Sequence, residues 1–342
     1  MRKILSTLLA LLTITAGAKA SQNPLDSNNA MQHGETEPAP VSERPRILIT
    51  TDIGGTDPDD NQSMMHYLLY SNEFDCEGLI SSPSFGEGNK SEILRMIDIY
   101  EMDLPKLKLH NQKARVPHAL YPSPEYLRSI TKQGRHGRVP LVGYSTPTEG
   151  SQWIVRCANK QTHRPLYVLV WGGLDDVAQA LHDAPEIAKK IRIYWIGGPN
   201  KKWGINAYAY IIENFPDIWM IENNSTYRGF IAKYKNPDQW NGGFYEYYVK
   251  GNGYLGADFY NYLQGKPKLG DTPSLLYMMD GDPANPERES WGGSFEDIPT
   301  LRAMCSIIPP QLRTPHRFTP SSNGTSRGLH PRTLRLATSA SR

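Results

Sequence analysis

Cysteine is nearly absent from this chain. Its three, Cys76, Cys157 and Cys305, are odd in number and form no CxxC pair, which argues against a disulfide framework and against a thiolate zinc site. No apolar run reaches the about 20 residues that a membrane-spanning helix needs. The run that opens the chain, Ile4 to Ile14, lies behind Arg2 and Lys3 and ahead of Ala18-Lys19-Ala20. A charged start, a short apolar stretch and a small-x-small site read as a secretory signal over residues 1–20. The mature protein is therefore expected to be exported and soluble, secreted or periplasmic. No internal repeat is visible. A basic excess is also missing from the part able to fold. The chain holds 37 basic and 35 acidic residues, but residues 1–20 take three of the basic ones and residues 306–342 take six Arg, both without a carboxylate. That leaves 28 basic against 35 acidic side chains in between, and a nucleic-acid-binding face needs the opposite balance. Single nucleosides stay open as ligands.

Residues 21–44, with Gln22, Asn23, Pro24, Asn28, Asn29 and a Pro/Glu-rich end, carry no periodicity and read as a flexible linker. Residues 301–342, dominated by Ser, Thr, Arg and Pro, read as a disordered tail. The folded part is one large domain over residues 45–300, roughly 260 residues and enough for a full core. Within it, apolar strands and amphipathic helices alternate. Arg46 to Thr51, Gly78-Leu79-Ile80, Leu166 to Trp171 and Ile191 to Ile196 read as strands. Asn61 to Tyr70, Lys90 to Tyr100, Glu149 to Asn159 and Leu174 to His182 read as helices. Asp271 is placed to cap a further helix with Pro273 in its first turn. The order predicts an α/β fold, a mostly parallel central sheet flanked by helices. The Tyr-, Gly- and Asn-rich stretch from Tyr234 to Tyr262 reads as short helices or ordered loops over that sheet.

The most informative stretch is Thr50-Thr51-Asp52-Ile53-Gly54-Gly55-Thr56-Asp57-Pro58-Asp59-Asp60. A strand ends in a carboxylate, a Gly pair turns the chain, and three more carboxylates follow. Like charges held this close raise each other's pKa, and a hard divalent cation, Ca²⁺ above all, relieves them by accepting their oxygens. The plainer reading is an acidic turn before a helix, with Asp59 and Asp60 favouring the positive end of its dipole. Position decides for the first, because ligands of open α/β sheets bind at the carboxyl ends of the strands.

Together with Val170-Trp171-Gly172-Gly173-Leu174-Asp175-Asp176, Ile196-Gly197-Gly198 and Gly270-Asp271-Thr272-Pro273-Ser274, this stretch resembles the nucleoside hydrolase superfamily. The likeness is closest to its secreted nucleoside-hydrolase-like branch, sometimes labelled cellulose-binding. The resemblance runs over residues 45–295. It implies a nucleoside-hydrolase-like fold, a resident Ca²⁺, a small nucleoside or glycoside (or a glucan) as ligand, and homo-oligomers. It also implies roles for single residues. Asp52 would ligate the metal and act as catalytic base; Asp60 and Asp271 would ligate it, as would the backbone carbonyl of Trp171. Asp59, Asp271 and Asn206 would hold the sugar.

Two residues depart from the family pattern. Thr50 stands where the first Asp of Asp-x-Asp-x-Gly-x-Asp-Asp would be, and Gly270 where a His commonly precedes the late Asp and protonates the leaving base. His136 and the aromatic rings of Trp171, Trp203 and Trp291 are the candidates to replace that His, while His66 reads as a core residue. Three readings follow: a Ca²⁺-dependent hydrolase of N-ribosyl or related glycosyl bonds; a carbohydrate-binding protein with weakened catalysis; and a glycosidase using Glu149 or Asp175 as an acid of raised pKa.

Overall fold

The computed structural model describes residues 44–55, 57–84, 88–113, 120–224, 241–297 and 317–319. The signal over 1–20, the linker over 21–44 save for Arg44, Tyr234–Trp240, Cys305 and nearly all of the tail over 301–342 lie outside the described residues. The strands are β1 (Arg46–Thr51), β2 (Asp75–Ser81), β3 (Thr131–Gln133), β4 (Leu166–Val170), β5 (Ile191–Ile196), β6 (Met220–Asn223), β7 (Glu296–Asp297) and β8 (Arg317–Thr319). The helices are α1 (Asp59–Leu69), α2 (Lys90–Lys113), α3 (Pro124–Ser129), α4 (Glu149–Ala158), α5 (Asp175–Asp183), α6 (Gly198–Trp203), α7 (Ile205–Asn214), α8 (Asn241–Phe244), α9 (Gly253–Phe259) and α10 (Thr272–Asp280).

The strands form one sheet in the order β3-β2-β1-β4-β5-β6-β8-β7. All neighbours pair parallel except β7 with β8. The mostly parallel sheet expected from the alternation is thus present. Its side chains explain why. Along β1, Ile47 and Ile49 pack into one apolar layer and Leu48 into the other; β4 and β5 split the same way. Successive residues of a strand point to opposite faces, so both faces need apolar cover and the strands read as unbroken apolar runs. Helices α1, α2, α9 and α10 cover the first face and α4, α5 and α7 the second.

The chain runs outward in both directions from β1, through β2 and β3 on one side and β4, β5 and β6 on the other. The crevice between the carboxyl ends of β1 and β4 is the switch point of this strand order, where doubly wound sheets take their ligands. Asp52 follows β1 and Trp171 follows β4.

Three differences from the expected elements have plain causes. Helix α2 runs past Tyr100 and through Pro105 to Lys113, because Leu104 is buried and the Asp103 carboxylate accepts from Tyr254 N and Leu255 N, tying the helix to α9. Strands β3 and β6, of three and four residues, are too short to show a period of two. Within the tail, Arg317–Thr319 pairs with β6 and β7 where no regular structure was expected. The two described cysteines, Cys76 and Cys157, are buried free thiols, each pushed up to about 12 by burial. Among the described residues no helix is long and apolar enough to cross a membrane.

Candidate active site

Four carboxylates from two distant parts of the chain meet above the switch point: Asp52, Asp59 and Asp60 from one turn, and Asp271. After β1 the chain turns back at Gly54, whose φ of +82° few side chains tolerate, and Gly55 N closes the turn on the Asp52 carbonyl at 3.0 Å. That turn delivers Asp59 and Asp60 as the first two residues of α1, and both are buried. Asp271 arrives from 200 residues further on, just ahead of α10. One oxygen from each of Asp59, Asp60 and Asp271 lies within 4.8 Å of the others. Asp52 joins the group through Asp60, whose carboxyl it pushes upward.

Neighbours hold these carboxylates in place. Ser84 Oγ donates to Asp52 Oδ2 and Thr51 Oγ1 donates to Asp60 Oδ1. Gln62, on α1, clamps the distant arm. Its Oε1 accepts from Lys268 N at 2.7 Å and Leu269 N at 3.2 Å, and its Nε2 donates to the Lys266 carbonyl at 3.0 Å. Leu269 sits at φ 50°, a left-handed conformation that costs a non-glycine residue free energy. The Gln62 clamp helps hold it there. Ser63 Oγ then accepts from Asp271 N at 3.2 Å.

The electrostatics are unfavourable as they stand. Burial raises Asp60 well above the usual carboxylate range, and Asp271, Asp52 and Asp59 push it further. Burial does the same to Asp271, with Asp59, Asp52 and Asp57 adding to it and Lys268 opposing. Asp52 is raised by burial, although hydrogen bonds from Asp60 and Ser84 pull it back. The facing cation is Lys268, which pairs with Asp57 and lies 3.6 Å from Asp59. Asp271 Oδ2 is buried without a hydrogen-bond partner. A buried acceptor left bare costs about 1–3 kcal/mol, more when charged. An oxygen-seeking cation would satisfy that atom and remove the repulsion together, so the donor set fits a hard divalent ion.

The remaining sequence candidates fall into place as follows. Trp171 is adjacent to the cluster: a Cβ on Gly172 would come within 3.0 Å of Asp52 Cβ. Its carbonyl already accepts from Asn200 Nδ2 at 2.9 Å, and its indole N–H donates to Ser274 Oγ at 2.8 Å. The ring is fully buried, so it is core and has no face to offer a ligand. The Asn206 amide donates to the Val139 carbonyl at 3.1 Å. Asn200 was not anticipated, and Ser84, Gln62 and Lys268 gave no local signal either. Asp271 precedes α10 as expected but makes no capping bond, since its carboxylate belongs to the cluster. His66 lies 3.1 Å from Thr272 Oγ1 and burial lowers it to about 4, a neutral packed ring. His136 is exposed. Trp203 stands between Arg138 and Lys202, and Trp291 is exposed.

Neither candidate acid of the glycosidase reading is free for that work. Burial works to raise Glu149, but the Gln133 N–H, Lys90 and Lys132 outweigh it and leave it below its ordinary value. Asp175 is raised to about 6 by burial, yet its Oδ1 accepts from Val139 N at 2.9 Å and fastens the loop ahead of α4.

The doubly wound α/β fold is that of the nucleoside hydrolase-like proteins. Residues 46–295 match the family described as cellulose-binding Sde182, nucleoside hydrolase-like domain, and the chain belongs to that family. A nucleoside hydrolase-related protein from Saccharophagus degradans, associated with carbohydrate metabolism, has a similar solved structure. It shares 26% identity and a TM-score of 0.61 over 83% of this chain and 67% of that one. A plant nucleoside hydrolase, PpNRh1, shares 15% identity at a TM-score of 0.47, covering 86% of this chain and 94% of that one. An inosine-uridine preferring nucleoside hydrolase from Bacillus anthracis shares 15% at 0.45, covering 82% and 91%. No curated protein matches the chain.

Proposed function

We propose that the protein is an exported, calcium-dependent hydrolase of N-ribosyl or related glycosyl bonds. The observation that carries this reading is the bare, buried Oδ2 of Asp271, whose carboxylate groups with those of Asp59 and Asp60. Asp52, Asp60, Asp271 and the Trp171 carbonyl are the groups to hold the ion, and the Asp59 carboxylate and Asp271 are those to grip the sugar hydroxyls. Bound there, calcium would make water more acidic and orient the sugar. Asp52, half-buried and held at Oδ2 by Ser84, presents its other oxygen to take up a proton from the attacking water. The surrounding carboxylates favour the positive charge that develops on the sugar as its glycosidic bond breaks. Asn206 donates one amide N–H to the Val139 carbonyl, and its second N–H and Oδ1 are the atoms it would offer a sugar.

A second reading, a carbohydrate-binding protein with weakened turnover, is favoured by Gly270 and Thr50 and by the cellulose-binding description of the family. Sugar release from a panel of nucleosides and aryl ribosides, measured in calcium and in EDTA, separates the two. The hydrolase reading expects turnover that EDTA abolishes and that Asp52→Ala lowers by at least about 10²-fold, in the range of lost acid–base catalysis. A folded protein that releases no sugar from any of them yet binds glucan fragments supports the second.

A further inference from the structure

We infer that a cavity at the amino-terminal edge of the sheet binds a small oligophosphate, free or carried by an organic group. The inference is independent of both readings above. The cavity, about 740 Å³, lies at the starts of β1, β4, β5 and β6, where Arg46, Pro165, Ile191 and Trp219 line it. These strands run parallel. The carboxylates follow β1 at the opposite edge, roughly 20 Å away, the length of a six-residue strand. A cavity of this size suits a small molecule rather than a polymer.

Charge sets the sign of the ligand. Six cations line the cavity: Arg46, Lys160, Arg164, Lys189, Lys190 and Arg192. Arg46 and Lys160 share Glu77, and Arg164 takes Asp75. The other three meet no carboxylate among the described residues. Lys189 makes no ion pair, Lys190 donates to the neutral Asn159 Oδ1 at 2.6 Å, and Arg192 donates to the Tyr167 hydroxyl at 2.8 Å. Asp217 is the one carboxylate among the described residues of the lining. Set against Glu77, Asp75 and Asp217, the six cations leave an excess of three. The chain between its two basic ends is acidic on balance, so this excess is a local concentration. A cleft lined by one sign of charge focuses its field on a counter-ion.

The donors narrow the class. Arg192 is held in place, its guanidinium 5.5 Å from the centres of both the Tyr167 and Trp219 rings, which meet edge to face. The Tyr167 bond uses one of its five N–H donors, and such a planar fork matches phosphate oxygens two at a time. Lys189 and Lys190 are exposed neighbours in the chain, flexible point charges that suit phosphate without fixing its geometry. An excess of three is met by a chain of linked phosphates and left partly unmet by a single one. Half-buried Trp219, with Pro283 and Pro286, adds an apolar wall against which an organic group can rest.

The test is titration calorimetry on the full chain, stripped of metal on a chelating resin so that no cation at the carboxylate cluster can hold a phosphate. The probes are tripolyphosphate, ATP and, as a carboxylate trianion, citrate. Tripolyphosphate should bind, and added salt should weaken it. Lys189→Gln/Lys190→Gln and Arg192→Gln should each lose at least about tenfold, the scale of a hydrogen bond to a charged group, while keeping the wild-type circular dichroism spectrum. Lys106→Gln/Lys108→Gln, on exposed positions of α2, should lose nothing. Bound tripolyphosphate should also protect Lys189 and Lys190 from acetylation, read by mass spectrometry on the wild type, which decides the matter should Arg192→Gln fail to fold. ATP binding tighter than tripolyphosphate, with the gain lost in Trp219→Ala, makes the ligand an organic oligophosphate; equal binding makes it the free anion. Failure of the wild type to bind either phosphate overturns the proposal. So does wild-type affinity in the folded lysine variant, absence of protection at both lysines, or citrate binding as tightly as tripolyphosphate.

Discussion

Both ends of the sheet bury charge, and they treat it in opposite ways. At the amino-terminal edge, Arg46 on β1 is buried against Glu77 on β2, with two contacts of 2.7 and 3.0 Å. Its remaining donors go to the carbonyls of Arg164 and Cys157 at 2.7 and 3.0 Å. Lys160 adds a second cation to Glu77 at 3.0 Å, and Arg164 meets Asp75 at 2.9 Å. Arg46, Glu77, Lys160, Arg164 and Asp75 are all paired, beside a cavity of about 740 Å³ lined by Lys189 and Arg192. At the carboxyl-terminal edge, four carboxylates gather, Lys268 pairs with Asp57 and lies 3.6 Å from Asp59, and the buried Asp271 Oδ2 has no hydrogen-bond partner. A buried pair with all its hydrogen bonds made is architecture. A buried cluster of one sign is a place kept for something the chain does not itself supply.

This contrast can be broken experimentally. Glu77→Ala strands Arg46 in the core and should cost about 3–5 kcal/mol, as removal of one partner of a buried pair does. Asp60→Asn, equally buried, should leave the metal-free protein no less stable than the wild type. Denaturant melts of both variants in EDTA decide it, and equal losses would erase the distinction between the two ends. Next in size is calcium. At 100 times its dissociation constant it should add about 2.7 kcal/mol, read as a rise in melting temperature that EDTA reverses.

The pH dependence sharpens the same point. Asp52, Asp60 and Asp271 all have raised folded pKa values. Stability linked to their protonated forms is fully present below the unfolded value near 4 and is lost as pH rises through the folded values. In EDTA the melting temperature should therefore fall from pH 5 to pH 8, and calcium should flatten the fall. Asp175, raised to about 6, follows the same sign outside the cluster. Asp175→Asn should stabilise by roughly 3 kcal/mol at pH 8 and by no more than about 0.5 kcal/mol at pH 4, on a shift of about two pKa units. A gain that persists at pH 4 would remove charge as its cause. The smallest effect expected is from Lys268→Met. It should cost about 1 kcal/mol in EDTA, the scale of a partly exposed ion pair, while tightening calcium binding measured by titration calorimetry.

How much could be read in advance differs between these elements. The bounds of β1 and β5 are those expected from their apolar runs, because strands buried on both faces must be apolar throughout. The three-residue β3 left no such trace. Of the site, Asp52, Asp59 and Asp60 announced themselves, being crowded into one turn after a strand. Asp271 came only from resemblance, since its local setting also suits a helix cap that the structure does not form.

By itself, then, the sequence determined a sheet built from buried parallel strands and a carboxylate turn at the end of the first of them, since hydrophobic periodicity and clustered charge are local properties. Only the tertiary structure decided which groups complete the site. Gln62 reaches across some 200 residues of chain to seat Lys268 and Leu269, Ser63 holds Asp271, Ser84 arrives beside Asp52 from the loop after β2, and Asn206 turns to Val139. Such contacts depend on where loops of unrelated sequence meet in space. No pattern within a short window of residues encodes that meeting.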